Sequence, residues 1–535
     1  MSAKLLLQGA VRCPRCTQGR GGVTTPAVGD GDGAGGGDGG GGGGGGQATG
    51  RAGGTVRDVE PPEKALHRRR LLWRLRDTFK SHACPELRLN KGRKAAAALL
   101  NRWVYRAFET AGSGGVDDGG GGGWTVQRVR VVGADPVIPP AKLSAPLREA
   151  MEADICQQFG SMDAGAARRE VVAFTKQCQQ AHEELRRQHR ASEQRDGVTL
   201  FALRELSGAP VRWRWECKEC TFVNGNDEGL ACEMCGTVRP VAKTEMRPGE
   251  ARTTEGGSHD ELELTFHGGN RPESVRLYRF KVEELVRCYS RGVVAQQAPP
   301  RNNPALLWPA IFSMTLRYEA LFDCESGGQA AVPPCVFRAM HQRFGVRSEC
   351  FASPLNKWAG TEEFCSLFPD VDAHFGSKGS FFGSSAAQFA MGSFECNPPF
   401  DRYSVGRTFE HLHELLRAAS DEADPSAERP LSFVVVVPMK QSTHGLLGRS
   451  PYLRAMRRLN EGSHHFLFGM QHRQTGMDSE THWAPTVPTM IYWLQNEAGA
   501  RMFNGGQLEE SADEIVRVWH KAFDEVDAAG GISRG

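Results

Sequence analysis

The segment Leu431–Pro438, which reads LSFVVVVP, constrains the fold more than any other part of the chain. An unbroken run of β-branched and other apolar residues predicts a strand covered on both faces, as in the centre of a parallel sheet. A second run of this type, TMIYWLQ, occupies Thr489–Gln495. Such strands need a layer of helices on each face, so the C-terminal half is predicted to be an α/β domain.

Strand-like and helix-like segments alternate around these two runs. The polar–apolar alternation of Ser274–Phe280 indicates a half-buried strand. The other predicted segments are strands at 348–352 and 394–396 and helices at 305–322, 336–344 and 405–419. This alternation predicts an open sheet whose ligands bind at the carboxyl ends of the strands.

The N-terminal half has a different organisation. A length of 535 residues allows three or four domains, and glycine dominates the stretch from Gly29 to Gly54. A Gly-rich segment buries too little apolar surface to fold, so residues 1–62 are predicted to be a disordered arm. Residues 63–210 are predicted to form a helical domain. No apolar run approaches the roughly 18 residues of a membrane span, which argues against a membrane partner.

Basic side chains cluster at the start of that helical domain. Arg68, Arg69, Arg70, Arg74 and Arg76 lie among apolar residues at helical spacing. Two interpretations stay open, namely a surface that faces phosphate groups and a solvated basic helix or nuclear-localisation patch. The net charge of +2 does not decide between them.

Four of the 15 cysteines form a C-x2-C…C-x2-C pattern within residues 213–241. Each pair puts two thiolates on one turn, and two such turns close a tetrahedral zinc site. A segment this short cannot build its own core, so metal binding would supply its folding energy. Four thiolates leave no open position, which predicts a structural zinc rather than a catalytic one. The predicted ligands are Cys217, Cys220, Cys232 and Cys235.

The residues around these cysteines resemble the RanBP2-type (Npl4-type) zinc finger. Trp215 precedes the first pair and Asn224 follows it, whereas the 11-residue gap between the pairs is one residue longer than is usual in that family. Its ubiquitin-binding members carry a Thr-Phe pair after the second cysteine and an apolar residue between the last two. Thr221, Phe222 and Met234 match these positions, so the resemblance implies a contact with ubiquitin.

RNA-binding members of the same family instead carry an arginine pair in the loop between the cysteine pairs. This chain has Asp227 and Glu228 there, and two carboxylates repel phosphate. A contact with ubiquitin or another protein is therefore favoured over RNA. The remaining interpretation is a structural module that packs on its own chain.

The tetrapeptide Asn397-Pro398-Pro399-Phe400 directly follows the predicted strand 394–396. The exocyclic amine of adenine is a poor nucleophile, and an amide oxygen together with a backbone carbonyl can hold it in a more reactive geometry. Two prolines fix φ and keep both acceptors in place. The aromatic ring can stack on the base and lie near a sulfonium. The alternative is a proline-stiffened turn at the end of a strand.

Sequences on both sides of this tetrapeptide resemble the phosphorylated-CTD-interacting-factor family of cap-specific adenosine N6-methyltransferases. The matching motifs are LRYEALF (316–322), ECFASPLN (349–356), FCSLFPDVDAHFGSKG (364–379) and GSFECNPPF (392–400). The resemblance implies a Rossmann-like, S-adenosylmethionine-dependent methyltransferase domain at 258–525, and it is dense between 345 and 440.

The same resemblance implies an activity and its participants. The methyl donor would be S-adenosylmethionine, and the acceptor would be the 2′-O-methyladenosine next to the cap of an mRNA, which implies a nuclear location. Asn397 and the Pro398 carbonyl would hold the amine, and Phe400 would stack on the adenine. The donor pocket would be formed by Ser353, Pro354, Leu355 and Asn356, bordered by Phe375, Gly376 and Ser377.

Two other functions stay open. One is an adenine N6-methyltransferase that acts on other RNA or on DNA. The other is a non-catalytic adaptor that retains the fold and binds ubiquitin or another protein through the finger. The intact tetrapeptide argues against the adaptor, because a protein without activity has no physical need for it.

Overall fold

A computed structural model describes most of the C-terminal half and separate parts of the N-terminal half. The described residues are 59–82, 99–103, 138, 145–158, 163–193, 201–205, 215–216, 223–224, 261–268, 271–291, 304–321, 330–361, 363–383, 389, 391–400, 402–420, 429–439, 447–467, 482–504, 506–528 and 532–534. The predicted disordered arm at 1–62 therefore lies outside them, apart from its last few residues.

Helices in the described ranges cover both halves of the chain. They are α1 (Pro62–His82), α2 (Ala145–Gln158), α3 (Ala164–Glu193), α4 (Arg279–Arg291), α5 (Pro304–Leu321), α6 (Pro334–Phe344), α7 (Pro369–Asp372), α8 (Arg402–Ala419), α9 (Glu497–Asn504) and α10 (Leu508–Ala528).

The strands are concentrated in the C-terminal half. They are β1 (Phe201–Glu205), β2 (Trp215–Glu216), β3 (Val223–Asn224), β4 (Glu261–Phe266), β5 (Glu273–Tyr278), β6 (Ser348–Ala352), β7 (Glu363–Ser366), β8 (Gly392–Cys396), β9 (Leu431–Pro438), β10 (Leu453–Leu459), β11 (Phe466–Leu467), β12 (His482–Ala484), β13 (Thr489–Gln495) and β14 (Ile532–Arg534).

Most of the predicted elements are confirmed. Strands β6, β9 and β13 have their predicted bounds. Helices α5, α6 and α8 begin one to three residues before their predicted starts. For α5 and α6 the difference comes from Pro304 and Pro334, because proline fits the first helical position, where no intrahelical partner is needed.

The central sheet has six strands in the order β10-β13-β9-β8-β6-β7. Strands β7, β6, β8 and β9 are parallel to one another, whereas β13 runs antiparallel to both β9 and β10. The prediction of a buried central strand at Thr489–Gln495 is therefore confirmed, but its predicted parallel direction is wrong. Burial on both faces produces the same apolar run for either direction, so the pattern carries no information about direction.

Each face of this sheet is covered by its own hydrophobic layer. Phe433 and Val435 of β9 pack with α8 on one face, and Val434 and Val436 pack with α6 and α10 on the other. We call these the α8 face and the α10 face. Successive residues of β9 therefore enter two different cores, which explains why its sequence shows no polar alternation.

A second, antiparallel sheet has the order β1-β4-β5 and shares a core with α1, α4 and α5. Helix α1 also packs on α2 and α3, because it contributes Leu72 to the first core and Leu71 and Leu75 to the second. Strand β1 lies inside the predicted helical domain but pairs with β4 of the predicted methyltransferase domain. No helix in the described ranges combines the length and the apolar character that a bilayer crossing requires.

Part of the basic cluster of α1 has a role that neither open interpretation predicted, whereas Arg70 and Arg74 are exposed, as in a solvated basic helix. Arg68 is buried with its Nη1 2.5 Å from the Glu60 Oε1, and Arg317 of α5 pairs with the same carboxylate at 2.7 Å. Although burial opposes ionisation, Arg317 and Arg68 lower the pKa of Glu60 to about 2. Arg76 is also buried and donates to the Asn101 amide oxygen at 2.7 Å. The buried arginines join α1 to the rest of the fold and do not face solvent.

Candidate active site

The order of strands in the central sheet reverses between β7 and β8. Strand β7 pairs with one side of β6, and β8 pairs with the other side. In the ladder between β6 and β8, Ser348 pairs with Phe394 and Glu349 pairs with Glu395. The pairing ends there, although β6 continues to Ala352. A crevice for ligands is expected at such a switch point, outside the carboxyl ends of the strands.

Asn397 lies at this switch point, immediately after β8. Its Nδ2 donates a hydrogen bond to the backbone oxygen of Ala330 at 3.0 Å, which orients the amide. Its Oδ1 is buried and has no hydrogen-bond partner in the part of the chain that the structure describes. A buried polar atom left without a partner costs about 1–3 kcal/mol, which a donor group on a ligand would offset. The geometry fits the predicted role of this side chain as an acceptor.

The rest of the tetrapeptide lies against the α10 face. Pro398 is buried, whereas Pro399 and Phe400 are half-buried. The Phe400 ring packs edge-on against Phe466 of β11, with centroids 5.5 Å apart and planes at 70°. Phe466 packs in turn on Trp519 of α10 at 5.4 Å. The ring that is predicted to stack on adenine is therefore held by the core and remains partly exposed.

The predicted donor-pocket segment Ser353–Asn356 forms a compact turn after β6. The Asn356 Oδ1 accepts hydrogen bonds from the Ser353 nitrogen at 2.6 Å and from the Ser353 Oγ at 2.8 Å. Pro354 is buried, and Leu355 enters the core shared with α4 and α5. The polar side chains of this segment are thus engaged with one another and stabilise the turn.

The predicted border of that pocket follows β7. Phe375 is buried in the same core as Leu355, and Gly376 has a φ of 97°, a conformation that glycine adopts without strain. The Ser377 Oγ lies 2.6 Å from the Ser366 Oγ at the end of β7. The structure therefore brings all three predicted segments to the carboxyl ends of the neighbouring strands β7, β6 and β8.

Two buried carboxyl groups at this edge were missed by the sequence analysis. Glu349 and Glu395 are register partners on β6 and β8, and their exposed fractions are 7% and 2%. The Glu349 Oε1 accepts hydrogen bonds from the Trp358 backbone nitrogen at 2.9 Å and from the Thr361 hydroxyl. The Glu395 Oε1 is buried without a partner among the described residues.

Burial raises the pKa of both carboxyl groups. The pKa of Glu349 rises to about 7, although the hydrogen bonds from Thr361 and Trp358 act against the rise. The pKa of Glu395 lies well above its ordinary value, first because of burial and then because of the neighbouring Glu349 charge. A charged residue inside an otherwise apolar strand was the available signal, since a buried acid needs a partner or a ligand.

A buried ion-pair cluster joins the loop after β6 to α4. The Lys357 Nζ lies 2.8 Å from the Glu284 Oε1, and the Lys281 Nζ lies 2.6 Å from the Glu284 Oε2. Burial opposes ionisation of Glu284, but the two lysines lower its pKa to about 2. The cluster is therefore charged at neutral pH and holds the loop that begins with the Ser353–Asn356 turn.

The predicted zinc ligands Cys217, Cys220, Cys232 and Cys235 lie outside the described residues, as do the predicted ubiquitin contacts Thr221, Phe222 and Met234. Their flanks are described, because β2 and β3 pair antiparallel with Trp215 opposite Asn224. This ladder joins the chain on the two sides of the first C-x2-C pair. Within the described ranges, no group of three or more His, Cys, Asp or Glu side chains could hold a metal ion.

Part of the chain matches known proteins. The family model for the Phosphorylated CTD interacting factor 1 WW domain matches residues 283–469, which contain the tetrapeptide and all strands of the central sheet except β13. The chain is 33% identical over 199 residues to a Homo sapiens protein named mRNA (2′-O-methyladenosine-N(6)-)-methyltransferase, which is 36% of this chain and 26% of that protein. It is also 32% identical over 258 residues to the Mus musculus protein of the same name. These 258 residues cover 47% of this chain and 33% of that protein.

The chain thus spans about a quarter to a third of the length of the curated relatives it matches. The family match falls on the region where the sequence motifs carry the resemblance to the phosphorylated-CTD-interacting-factor family, and it supports that resemblance.

Proposed function

We propose that the chain transfers a methyl group from S-adenosylmethionine to the N6 of the 2′-O-methyladenosine next to the cap of an mRNA. The observation that carries the proposal is the buried, unpartnered Oδ1 of Asn397 at the switch point of the sheet. The named activity of the relatives and the family match around this residue support the proposal.

The residues at the sheet edge fit both reactants. The strand order, with its switch point beside β6, supports a Rossmann-like methyltransferase domain. The turn Ser353–Asn356 and the loop Phe375–Ser377 would hold S-adenosylmethionine, which supplies an electrophilic methyl group when bound. The tetrapeptide would hold the adenine beside it.

The protein's own contribution to catalysis is positioning. The Asn397 Oδ1 and the Pro398 carbonyl accept hydrogen bonds from the N6 amine, which directs its lone pair towards the methyl group. Phe400 stacks on the base and is itself held by Phe466. Alignment of two reactants in this way supplies about 7–11 kcal/mol of the barrier reduction, so no strong base is needed.

The zinc finger belongs to the same proposal as a separate module. Cys217, Cys220, Cys232 and Cys235 would bind a structural zinc, and Thr221, Phe222 and Met234 would contact ubiquitin or another protein. The β2–β3 ladder supports a zinc knuckle, because it closes the loop that contains the first cysteine pair. Action on mRNA caps also leads us to expect a nuclear location.

One assay separates this function from its alternatives. Purified full-length protein is incubated with labelled S-adenosylmethionine and RNAs that begin with A or G, each with and without a cap, and the products are digested to nucleosides. We expect label in N6-methyladenosine from the capped A-RNA only. Equal labelling of uncapped RNA or of DNA would support a different adenine substrate, and no transfer to any RNA or DNA would support the adaptor.

A further inference from the structure

Glu395 has a position that the proposed catalytic steps do not use. It forms the last register pair before β6 and β8 separate, together with Glu349. Phe394 and Cys396 enter the α8 face, so the intervening Glu395 points to the α10 face, as does Asn397 two residues later. Along a strand this spacing is about 6.6 Å. Two unpartnered oxygens, one from each side chain, thus belong to the same face at the carboxyl end of β8.

The two glutamates differ in what they bind. Glu349 already accepts hydrogen bonds from Trp358 and Thr361 and so holds the loop after β6. Glu395 is only 2% exposed, and its Oε1 has no partner in the described ranges. A carboxyl group in such a place is expected to meet a cation or a hydrogen-bond donor that arrives with a ligand.

The surroundings of Glu395 favour its neutral form before such a ligand arrives. On β9 its register partner is the apolar Val434, and burial together with the Glu349 charge raises its pKa. The charge of Glu395 in turn acts on the thiols Cys350 and Cys396 of the opposite face. Glu349 also interacts with the charges of Lys357 and of its partner Glu284 on α4, and His341 of α6 packs on Trp358 at 6.0 Å. Lys357 is already paired with Glu284, so its charge is compensated.

We propose that Glu395 binds the ammonium group of the methyl donor's amino-acid part and gives up its proton as the donor binds. The inference rests on the proposed function. The ammonium is favoured over the sulfonium because methyl transfer removes positive charge from sulfur, so a carboxylate at sulfur would stabilise the ground state more than the transition state. The charge balances, since one cation enters the site and one proton leaves for solvent.

Isothermal titration calorimetry of the full-length protein tests this directly. Three ligands are compared, namely S-adenosylmethionine, S-adenosylhomocysteine and 5′-methylthioadenosine, in buffers of different ionisation enthalpy between pH 6.5 and 8.5. The first two carry the ammonium and should release protons on binding, with an affinity that rises with pH by at most about tenfold per pH unit. Methylthioadenosine lacks the ammonium and should release none.

Two variants sharpen the experiment. Glu395→Gln has no proton to release and cannot become a carboxylate. It should weaken S-adenosylhomocysteine binding about 10–100-fold, while the dissociation constant of methylthioadenosine changes less than about twofold. Ser393→Ala is the matched control, because Ser393 is buried on the same strand and its Oγ also has no partner among the described residues. It should bind all three ligands like the unmodified protein.

The outcomes separate this inference from the proposed function. Binding of S-adenosylhomocysteine without proton release by the unmodified protein would overturn the role of Glu395 and leave the methyltransferase proposal standing. If Glu395→Gln weakened the binding of all three ligands equally, the role of Glu395 would also be overturned. Such a result would indicate a loss of structure rather than the loss of an ion pair. Absence of binding by all three ligands would refute both proposals. If the variant does not fold, absence of proton release by the unmodified protein would still overturn the role of Glu395.

Discussion

The two faces of the central sheet are built from the same strands but serve different purposes. The α8 face is lined along β8 and β9 by apolar side chains and by the thiols Cys350, Cys365 and Cys396. The α10 face has an aromatic core around Trp493 and Trp519, but at the carboxyl ends of β6 and β8 it contains acidic and amide groups. The α8 face contributes to stability, whereas the polar groups of the α10 face reduce stability and form a candidate binding site.

The polar end of the α10 face is destabilising on its own. Glu395 and Asn397 each keep a buried oxygen without a partner among the described residues. Buried polar groups without partners are typically found at functional sites, where binding or catalysis requires them. The difference between the faces therefore indicates where ligands bind, independently of any motif.

Trp519→Ala should have the largest effect on stability. The side chain is fully buried, and its Nε1 donates to the His465 backbone oxygen at 2.7 Å. Its loss leaves a cavity and an unpaired carbonyl, so we expect the free energy of unfolding in urea to fall by about 3–5 kcal/mol. Trp73→Ala is the control, because Trp73 is 44% exposed, and it should change the same quantity by less than about 1 kcal/mol.

Asn397→Ala should have the largest effect on turnover without affecting stability much. Removal of one pre-organised hydrogen-bonding group lowers kcat by about 10²–10³-fold. Binding of S-adenosylhomocysteine should stay within about twofold, because the proposed donor segments Ser353–Asn356 and Phe375–Ser377 follow β6 and β7. Turnover of capped RNA and calorimetric binding measure the two quantities, and unchanged turnover would contradict the assigned role.

The buried acidic groups of the α10 face should also make the stability of the protein depend on pH. The pKa of Glu349 is about 7 in the folded protein, compared with 4.5 in the unfolded chain. At any pH between these two values, its carboxyl group is more protonated in the folded protein than in the unfolded chain. Its contribution to stability therefore falls as the pH rises from about 5 to 7, by at most about 1.4 kcal/mol per unit. Glu349→Gln should remove this contribution. The free energy of unfolding of the variant, relative to that of the unmodified protein, should therefore rise by about 2 kcal/mol between pH 5 and pH 7.5.

Chemical unfolding at several pH values measures this difference. The Ser393→Ala variant, which changes a buried polar group on β8 without changing any titratable one, should parallel the unmodified protein at every pH. A constant offset between Glu349→Gln and the unmodified protein would contradict the raised pKa.

Cys396→Ala should have the smallest effect of the four. Cys396 precedes Asn397 in the chain but is buried in the α8 face. We expect a loss of about 1 kcal/mol in unfolding free energy and turnover within about threefold of the unmodified protein. A loss of turnover comparable to that of Asn397→Ala would show that the two faces do not act separately.

Much of the fold and part of the site could be predicted from local patterns. The bounds of β9 and β13 follow from apolar runs, β6 was predicted as a short strand, and the tetrapeptide at Asn397 was located by its position after a strand. The direction of β13 could not be predicted, because a strand buried on both faces looks the same in either direction. The buried Arg68 and Arg76 of α1 could not be predicted either, since their acceptors lie in other segments of the chain.

The sequence by itself determined that 348–352, 431–438 and 489–495 are strands, that the last two are buried on both faces, and which residues after β8 carry acceptor oxygens. These properties depend on side-chain chemistry and on periods of a few residues. Only the tertiary structure decided that Glu349 and Glu395 meet across β6 and β8 and that the Oδ1 of Asn397 is left unpartnered among the described residues. The reason is physical: strand order and burial arise from contacts between residues far apart in the chain, and these set both the pKa values and the available hydrogen-bond partners.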